Sequence, residues 1–168
     1  MDLSDSISQS IERIGVLTPL RSDCGRLCGA ACCQGNEAGQ GMLVYPGELL
    51  VRSFPQSWRR ERVTLPGYGS APLICCDGPC EREERPLACR VFPLAPRLRP
   101  DGSFGVRMNP RGRPVCPLCH KPVSSLDPAF ARAVEDVFSI LSSHPEGKRF
   151  LTALSRMSDV YDNPFSRD

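Results

Sequence analysis

Ten cysteines fall in three clumps along a chain of 168 residues. Cys24, Cys28, Cys32 and Cys33 crowd one stretch, Cys75, Cys76, Cys80 and Cys89 a second, and Cys116 and Cys119 close the set. Thiols at this density oxidise and mispair unless something soft and electrophilic holds them, so a metal ion or an iron-sulfur cluster is the expected organiser of the middle of the chain. The surrounding sequence sharpens that constraint. Residues 18–41 are almost all turn formers and cysteine, and residues 93–122 are rich in proline, so neither offers a long apolar face to bury. A structural metal site, worth on the order of 10 kcal/mol, would offset the shortfall.

The compartment decides between ligation and disulfides. Asp2 and Asp5 stand where an export signal needs basic residues, and the apolar residues around them are spaced rather than continuous. No stretch approaches the roughly 20 apolar residues of a membrane span. The expectation is a soluble, cytoplasmic protein with no membrane partner, in which thiols stay reduced and a disulfide framework is disfavoured. The length predicts a single domain over residues 1–168. Net charge is only +2, but residues 85–113 hold seven arginines against one acid, Asp101. This run reads as a solvated charged face, and because it lacks interleaved aromatics for base stacking a nucleic acid is not the expected partner.

The pattern along the chain predicts a small, loop-rich α+β fold. Leu3, Ile7, Ile11 and Ile14 recur at helical spacing ahead of Gly15, giving an N-terminal helix within residues 1–17. Residues 18–122 form the cysteine-cluster core, with a short strand at 42–45, a short helix opened by Pro46, a hairpin of 62–65 with 71–75 around PGYGS, and a strand at 104–108. A helical hairpin follows over residues 127–158. Asp127 caps its first helix, Pro128 takes the first helical position, and Phe130, Val134, Val137, Phe138 and Leu141 form one stripe. His144 and Pro145 break the pattern before Phe150, Leu151, Leu154 and Met157 trace the second helix, and residues 159–168 are a tail.

Thiolates are soft ligands that suit zinc, iron-sulfur clusters and cuprous copper. Structural zinc takes four ligands, usually from knuckles of closely spaced cysteines, and only Cys116-x2-Cys119 and Cys76-x3-Cys80 resemble one. An iron-sulfur cluster also takes about four thiolates but accepts them from scattered loops, with donors to its sulfurs, a role open to Arg90 beside Cys89. Ten cysteines allow one site or two. Buried free cysteine also behaves as a small apolar residue, and Cys75 and Cys119 are the first assigned to packing.

Two stretches, CGRLCGAACCQG at residues 24–35 and CEREERPLACRVFPL at residues 80–94, resemble the YkgJ-type cysteine-cluster family of zinc- or iron-chelating domains. That pattern has a cysteine-rich opening ending in a CC pair, a proline-acid step, a cysteine followed by RPxxCRxFP, and a later Cys-Pro. Cys32 and Cys33 supply the pair, Pro46 and Glu48 the step, Arg85, Pro86, Cys89, Arg90, Phe92 and Pro93 the long motif, and Cys116 and Pro117 the late element. The opening cysteines stand one residue further apart than in the commonest form, and the segment from Cys80 to Cys89 is one residue shorter. Clumping and resemblance together give Cys24, Cys28, Cys32, Cys33, Cys76, Cys80, Cys89 and Cys116 as the metal ligands. A similar cluster in flagellin lysine N-methylase is associated with an iron-sulfur centre, so the resemblance implies an iron-sulfur cluster in preference to zinc.

Other readings compete. A cluster-dependent enzyme that modifies a protein partner, in the manner of lysine methylation, would need an open cleft with a free carboxylate near the metal, for which Glu48, Asp77 and Glu81 are candidates. CPLCH at residues 116–120 matches a c-type haem attachment site with His120 as axial ligand. The absence of an export signal counts against it.

Overall fold

The computed structural model describes residues 2–34 and 40–163. The parts of the expected loop at 35–39 and of the expected tail at 164–168 lie outside the described residues.

Helix α1, Leu3–Ile14, forms as its stripe demands. Asp2 accepts from the Ser4 N–H at its start, Gly15 ends it at φ +44°, and Ile7 and Ile14 are wholly buried. The C-terminal hairpin is α5, Pro128–Ser142, followed by α6, Pro145–Asp162. Asp127 caps α5 by accepting from the Ala129 N–H at 2.8 Å, and its own N–H donates to the Pro19 carbonyl, which moors the cysteine loop's entry to the helix. His144 caps α6 through Nδ1, which accepts from the Glu146 N–H. The second helix runs to Asp162, past the Met157 where the apolar pattern fades, because Arg107 and Arg113 pair with Asp159 and Asp162 on its last turns.

These helices share one core with a two-stranded hairpin. Strand β4, Leu94–Leu98, pairs antiparallel with β5, Phe104–Met108, in the register Leu94 opposite Met108 and Leu98 opposite Phe104. Helices α5 and α6 pack on this hairpin, and α1 packs on α5, around the fully buried rings of Phe130, Phe138 and Phe150. Burial of such rings dominates the energetics of a small core, at about 1.5–3 kcal/mol for each large apolar side chain.

A second sheet is antiparallel with strand order β1-β3-β2, from Met42–Leu43, Gly69–Cys75 and Arg59–Leu65. The hairpin is longer than expected, beginning at Arg59 on its outer end and resuming at Gly69 beside the turn. Its turn places Pro66 before Gly67, whose φ of +79° only glycine adopts freely. Tyr45 and Tyr68 set their rings edge-on to Phe150, each at a centroid distance of 5.1 Å, tying this sheet to α6. A separate, smaller apolar cluster of Val44, Phe54, Trp58 and Ile74 lies on this sheet, with Phe54 and Trp58 stacked.

Two short helical segments were not expected, α2, Gly25–Cys28, and α4, Leu87–Val91, while the short helix expected at Pro46 is α3, Glu48–Val51, opened by Gly47 one residue later. The arginine run of residues 85–113 is not a free charged face. Arg99 pairs with Glu135, Arg107 and Arg113 with α6 carboxylates, and Arg85 and Arg90 turn inward to backbone carbonyls. No helix among the described residues is long and apolar enough to cross a membrane.

Gly147, in the first turn of α6, sits so close to the Leu141 carbonyl at the end of α5 that a Cβ would collide with backbone. Gly147→Ala therefore destabilises the hairpin by about 1–3 kcal/mol, although glycine to alanine ordinarily favours a helix. Thermal denaturation reads the difference, and a raised Tm would contradict this packing.

Candidate metal centre

The first cysteine clump is built from two tight turns. The Asp23 carboxylate accepts from the Gly25 N–H at 3.0 Å, starting α2 at Cys24 and bringing Cys28 one turn on. Gly29 and Ala30 both adopt left-handed backbone, at φ +59° and +55°, which reverses the chain into a 3-10 turn, Ala31–Cys33. Neither α2 nor this turn contains a buried residue, so hydrophobic burial contributes little to their order.

The second clump leaves the end of β3. Cys75 is buried in the sheet, donating its Sγ–H to the Gln40 carbonyl and receiving the Arg59 guanidinium at 3.3 Å, while Cys76 turns to the small apolar cluster together with Cys80. Residues 80–86 then run as a loop pinned by arginines. Arg85 donates to the Cys80 carbonyl, Arg52 and Arg90 each donate to the carbonyls of Glu83 and Arg85, and Arg82 donates to the carbonyls of Gly15 and Leu17. Helix α4 follows and presents Cys89.

The start of α4 depends on Glu48, which is wholly buried. One carboxylate oxygen accepts from the Leu87 N–H at 2.8 Å and the other from the Tyr45 N–H at 3.2 Å, with Arg52 at 3.8 Å. Burial pushes its acidity down, raising the pKa, and the two N–H donors and Arg52 act against that. Glu48 is thus an anchor of the cysteine loop and no free carboxylate in a cleft, the role expected for it above; Asp77 and Glu81 are exposed.

Cys116 arrives after β5, its N–H donating to the Gly112 carbonyl at 2.8 Å. It meets Cys24, Cys28 and Cys32 around a small cavity of about 30 Å³ walled by Phe92 and Leu118. Cys119 lies buried beside Cys116 and against Gly112, where a Cβ would strike its sulfur. His120 is exposed, with Nε2 2.9 Å from the Arg113 carbonyl.

The eight expected ligands are electrostatic neighbours of one another. Cys24 is influenced by Cys116 and Cys28, Cys32 by Cys33, Cys28 and Cys89, and Cys89 by Cys76, Cys33 and Cys80. Among the described residues, no three His, Cys, Asp or Glu side chains are drawn together closely enough to hold a metal ion as they stand. Arg85 lies beside four of the thiols, Cys24, Cys33, Cys80 and Cys89. The cation at the cysteines is therefore Arg85, whereas Arg90, the donor expected from its position next to Cys89, is committed to carbonyls. Sequence proximity singled out Arg90; the motif that carries both arginines gives no signal separating them.

The thiols differ in acidity. Burial raises Cys24, Cys80 and Cys89, and the thiol of Cys32 is raised chiefly because it donates to Cys33. That hydrogen bond, with Arg85 nearby, lowers Cys33 to about 6. Comparison with protein-family models, curated proteins and solved structures finds no match for this chain.

Two outcomes test these assignments. Glu48→Ala strips acceptors from two buried N–H groups and leaves Arg52 without its carboxylate, so it costs about 3–5 kcal/mol in denaturant unfolding, and an effect within 0.5 kcal/mol, the ordinary range of surface substitutions, would contradict the anchor. In the metal-free, reduced protein, Cys33 is mostly thiolate at pH 7 and is alkylated faster by iodoacetamide than Cys32 or Cys89. Peptide mapping should show the Cys33 alkylation rate falling as the pH drops through about 6, with its preference over Cys32 and Cys89 persisting.

Proposed function

We propose that this chain is a cysteine-cluster protein that binds an iron-sulfur cluster through thiolates, with zinc as the alternative occupant. The observation that carries the reading is the placing of expected ligands from separate segments side by side, Cys24, Cys28 and Cys32 with Cys116 around one small cavity and Cys76 with Cys80 on one apolar cluster, among eight cysteines spread over four segments. Nothing in hydrophobic packing accounts for it, because six of these eight are only partly buried and one is exposed. Soft donors predominate, with Arg85 to offset the negative charge that four thiolates retain around a metal. The donor set fits either occupant. The resemblance to YkgJ-type domains favours iron and sulfide, since recruitment from scattered loops is ordinary for a cluster and unusual for zinc knuckles. When bound, the metal supplies the link that joins the loops, and ligation draws the sulfurs inward from their present positions.

All ten thiols are free, which suits a reducing compartment such as the cytoplasm. The open groove beside α1, lined by Ser8, Val51, Phe54, Glu83 and Arg90, contains no cysteine, and the cavity lined by Cys24, Cys28, Cys32 and Cys116 is small, which suits a metal-binding module.

Anaerobic purification with iron, sulfide and zinc analysis tests the occupant. Iron and acid-labile sulfide in equal amounts, with thiolate-to-iron absorption in the visible, are expected. Zinc without iron would overturn the iron-sulfur preference, and no metal of any kind would overturn the reading itself. Chelation should release residues 18–34 and 76–86 to rapid amide exchange while α5 and α6, whose core has Cys116 as its one buried ligand thiol and only Cys24 packed against it, stay protected.

A further inference from the structure

Resting on that reading, we propose that the eight thiols form two separate four-thiolate centres: Cys24, Cys28, Cys32 and Cys116 in one, and Cys33, Cys76, Cys80 and Cys89 in the other.

The number of donors is the first argument. A zinc ion or an iron-sulfur cluster takes four thiolates, so eight at one centre would leave half of them without a task. Placement is the second. Cys24, Cys28, Cys32 and Cys116 line the same small cavity, walled by Phe92 and Leu118, and no thiol of the other set lines it. Cys116 belongs to the main core and Cys24 packs against it. Cys76 and Cys80 pack instead on the separate cluster of Val44, Phe54, Trp58 and Ile74, and Cys89 interacts most strongly with Cys76, Cys33 and Cys80, with Cys32 of the first set reaching it across the seam. The two sets therefore rest on two different apolar foundations.

Cys32 and Cys33 form the seam. They are consecutive in a 3-10 turn, where successive side chains diverge by about 120°, so one faces the cavity while the other faces Arg85. Their sulfurs share a hydrogen bond in the metal-free arrangement, and metal binding replaces that contact with one bond to each centre. The centres are unlike. The first lies in an apolar cavity and feels Arg85 only through Cys24, whereas Arg85 donates to the Cys80 carbonyl of the second and acts on three of its four thiols.

Metal counting on the full chain tests the division. Under reducing, anaerobic conditions the protein is titrated with Zn(II), the bound ions are counted by native mass spectrometry, and Co(II) thiolate absorption is followed in parallel. Two equivalents are expected for the unmodified chain. The within-set pairs C28S/C116S and C80S/C89S should each retain one, and the cross-set pair C28S/C80S should retain none. One equivalent in the unmodified chain, or any number other than two, overturns the two-centre division and leaves metal binding standing. Equal losses in within-set and cross-set pairs overturn the partition of residues, with far-UV circular dichroism of α5 and α6 confirming that each variant is folded; where a variant loses that signal, the corresponding single substitutions C28S and C80S are counted, each expected to lose one equivalent, and loss of both overturns the partition. No zinc, and no iron after reconstitution with ferrous iron and sulfide, overturns the functional reading beneath it.

Discussion

A carboxylate with no exposure to water holds the cysteine region to the rest of the molecule. Helix α4 begins at Leu87 after Pro86, which has no side chain able to cap it, so the first N–H groups of the helix have no local acceptor. Glu48 supplies one from 39 residues upstream and uses its second oxygen on Tyr45. An ionised group in that position would be costly alone, by several kcal/mol. Its two N–H donors and Arg52 make the arrangement tolerable, and Arg52 then reaches on to the carbonyls of Glu83 and Arg85. The loop that carries Cys80 and the helix that carries Cys89 are thus fixed by one continuous polar network. It also gives a physical meaning to two elements of the resemblance, since the proline-acid step and the RPxxC motif are the two ends of a single hydrogen-bonded contact.

Stability is divided between two kinds of interaction. The helices α1, α5 and α6 with the β4–β5 hairpin bury large apolar side chains in a core where cysteine enters only as the small bodies of Cys75, Cys116 and Cys119, with Cys24 packed against it. The turns at residues 24–33 bury no side chain and are held by an Asx contact, two left-handed residues and a few local hydrogen bonds. Such turns are ordered cheaply by a metal and poorly by anything else, because each ligand bond replaces contacts the sequence cannot provide.

What the sequence made legible follows the same division. Helices α1 and α5 could be read because an apolar stripe and a local capping residue coincide, as with Asp127 and Pro128. Strand β4 was hidden by Pro93 and Pro96, yet Pro96 is tolerated in a two-stranded hairpin, where a missing N–H need not break a ladder on both sides. Helix α4 was hidden because five residues carry no periodicity and its cap is distant in sequence. Glu48 could not be read as an anchor for the same reason: the Leu87 N–H that it caps lies 39 residues further along the chain. The clumping of the cysteines was legible, but the difference between Arg85 and Arg90 depends on which way each guanidinium turns: Arg90 joins Arg52 on the carbonyls of Glu83 and Arg85, while Arg85 turns to the Cys80 carbonyl.

The cysteine doublets carry the last step. At the end of β3, Cys75 faces the main core and Cys76 faces the small cluster of Phe54 and Trp58, as expected where successive side chains leave a strand on opposite sides. In the 3-10 turn, Cys32 lines the cavity with Cys116 while Cys33 lies beside Arg85. Both doublets therefore send one sulfur to each side of the same divide, one by strand alternation and the other by helical rotation. Adjacent cysteines are a poor way to fill one tetrahedral site, because a single peptide link holds their Cβ directions apart. They are an economical way to serve two neighbouring environments from one point of the backbone. A CC pair in this chain is accordingly a boundary between surroundings, and the chemistry assigned to each thiol depends on the side it faces rather than on the clump it belongs to.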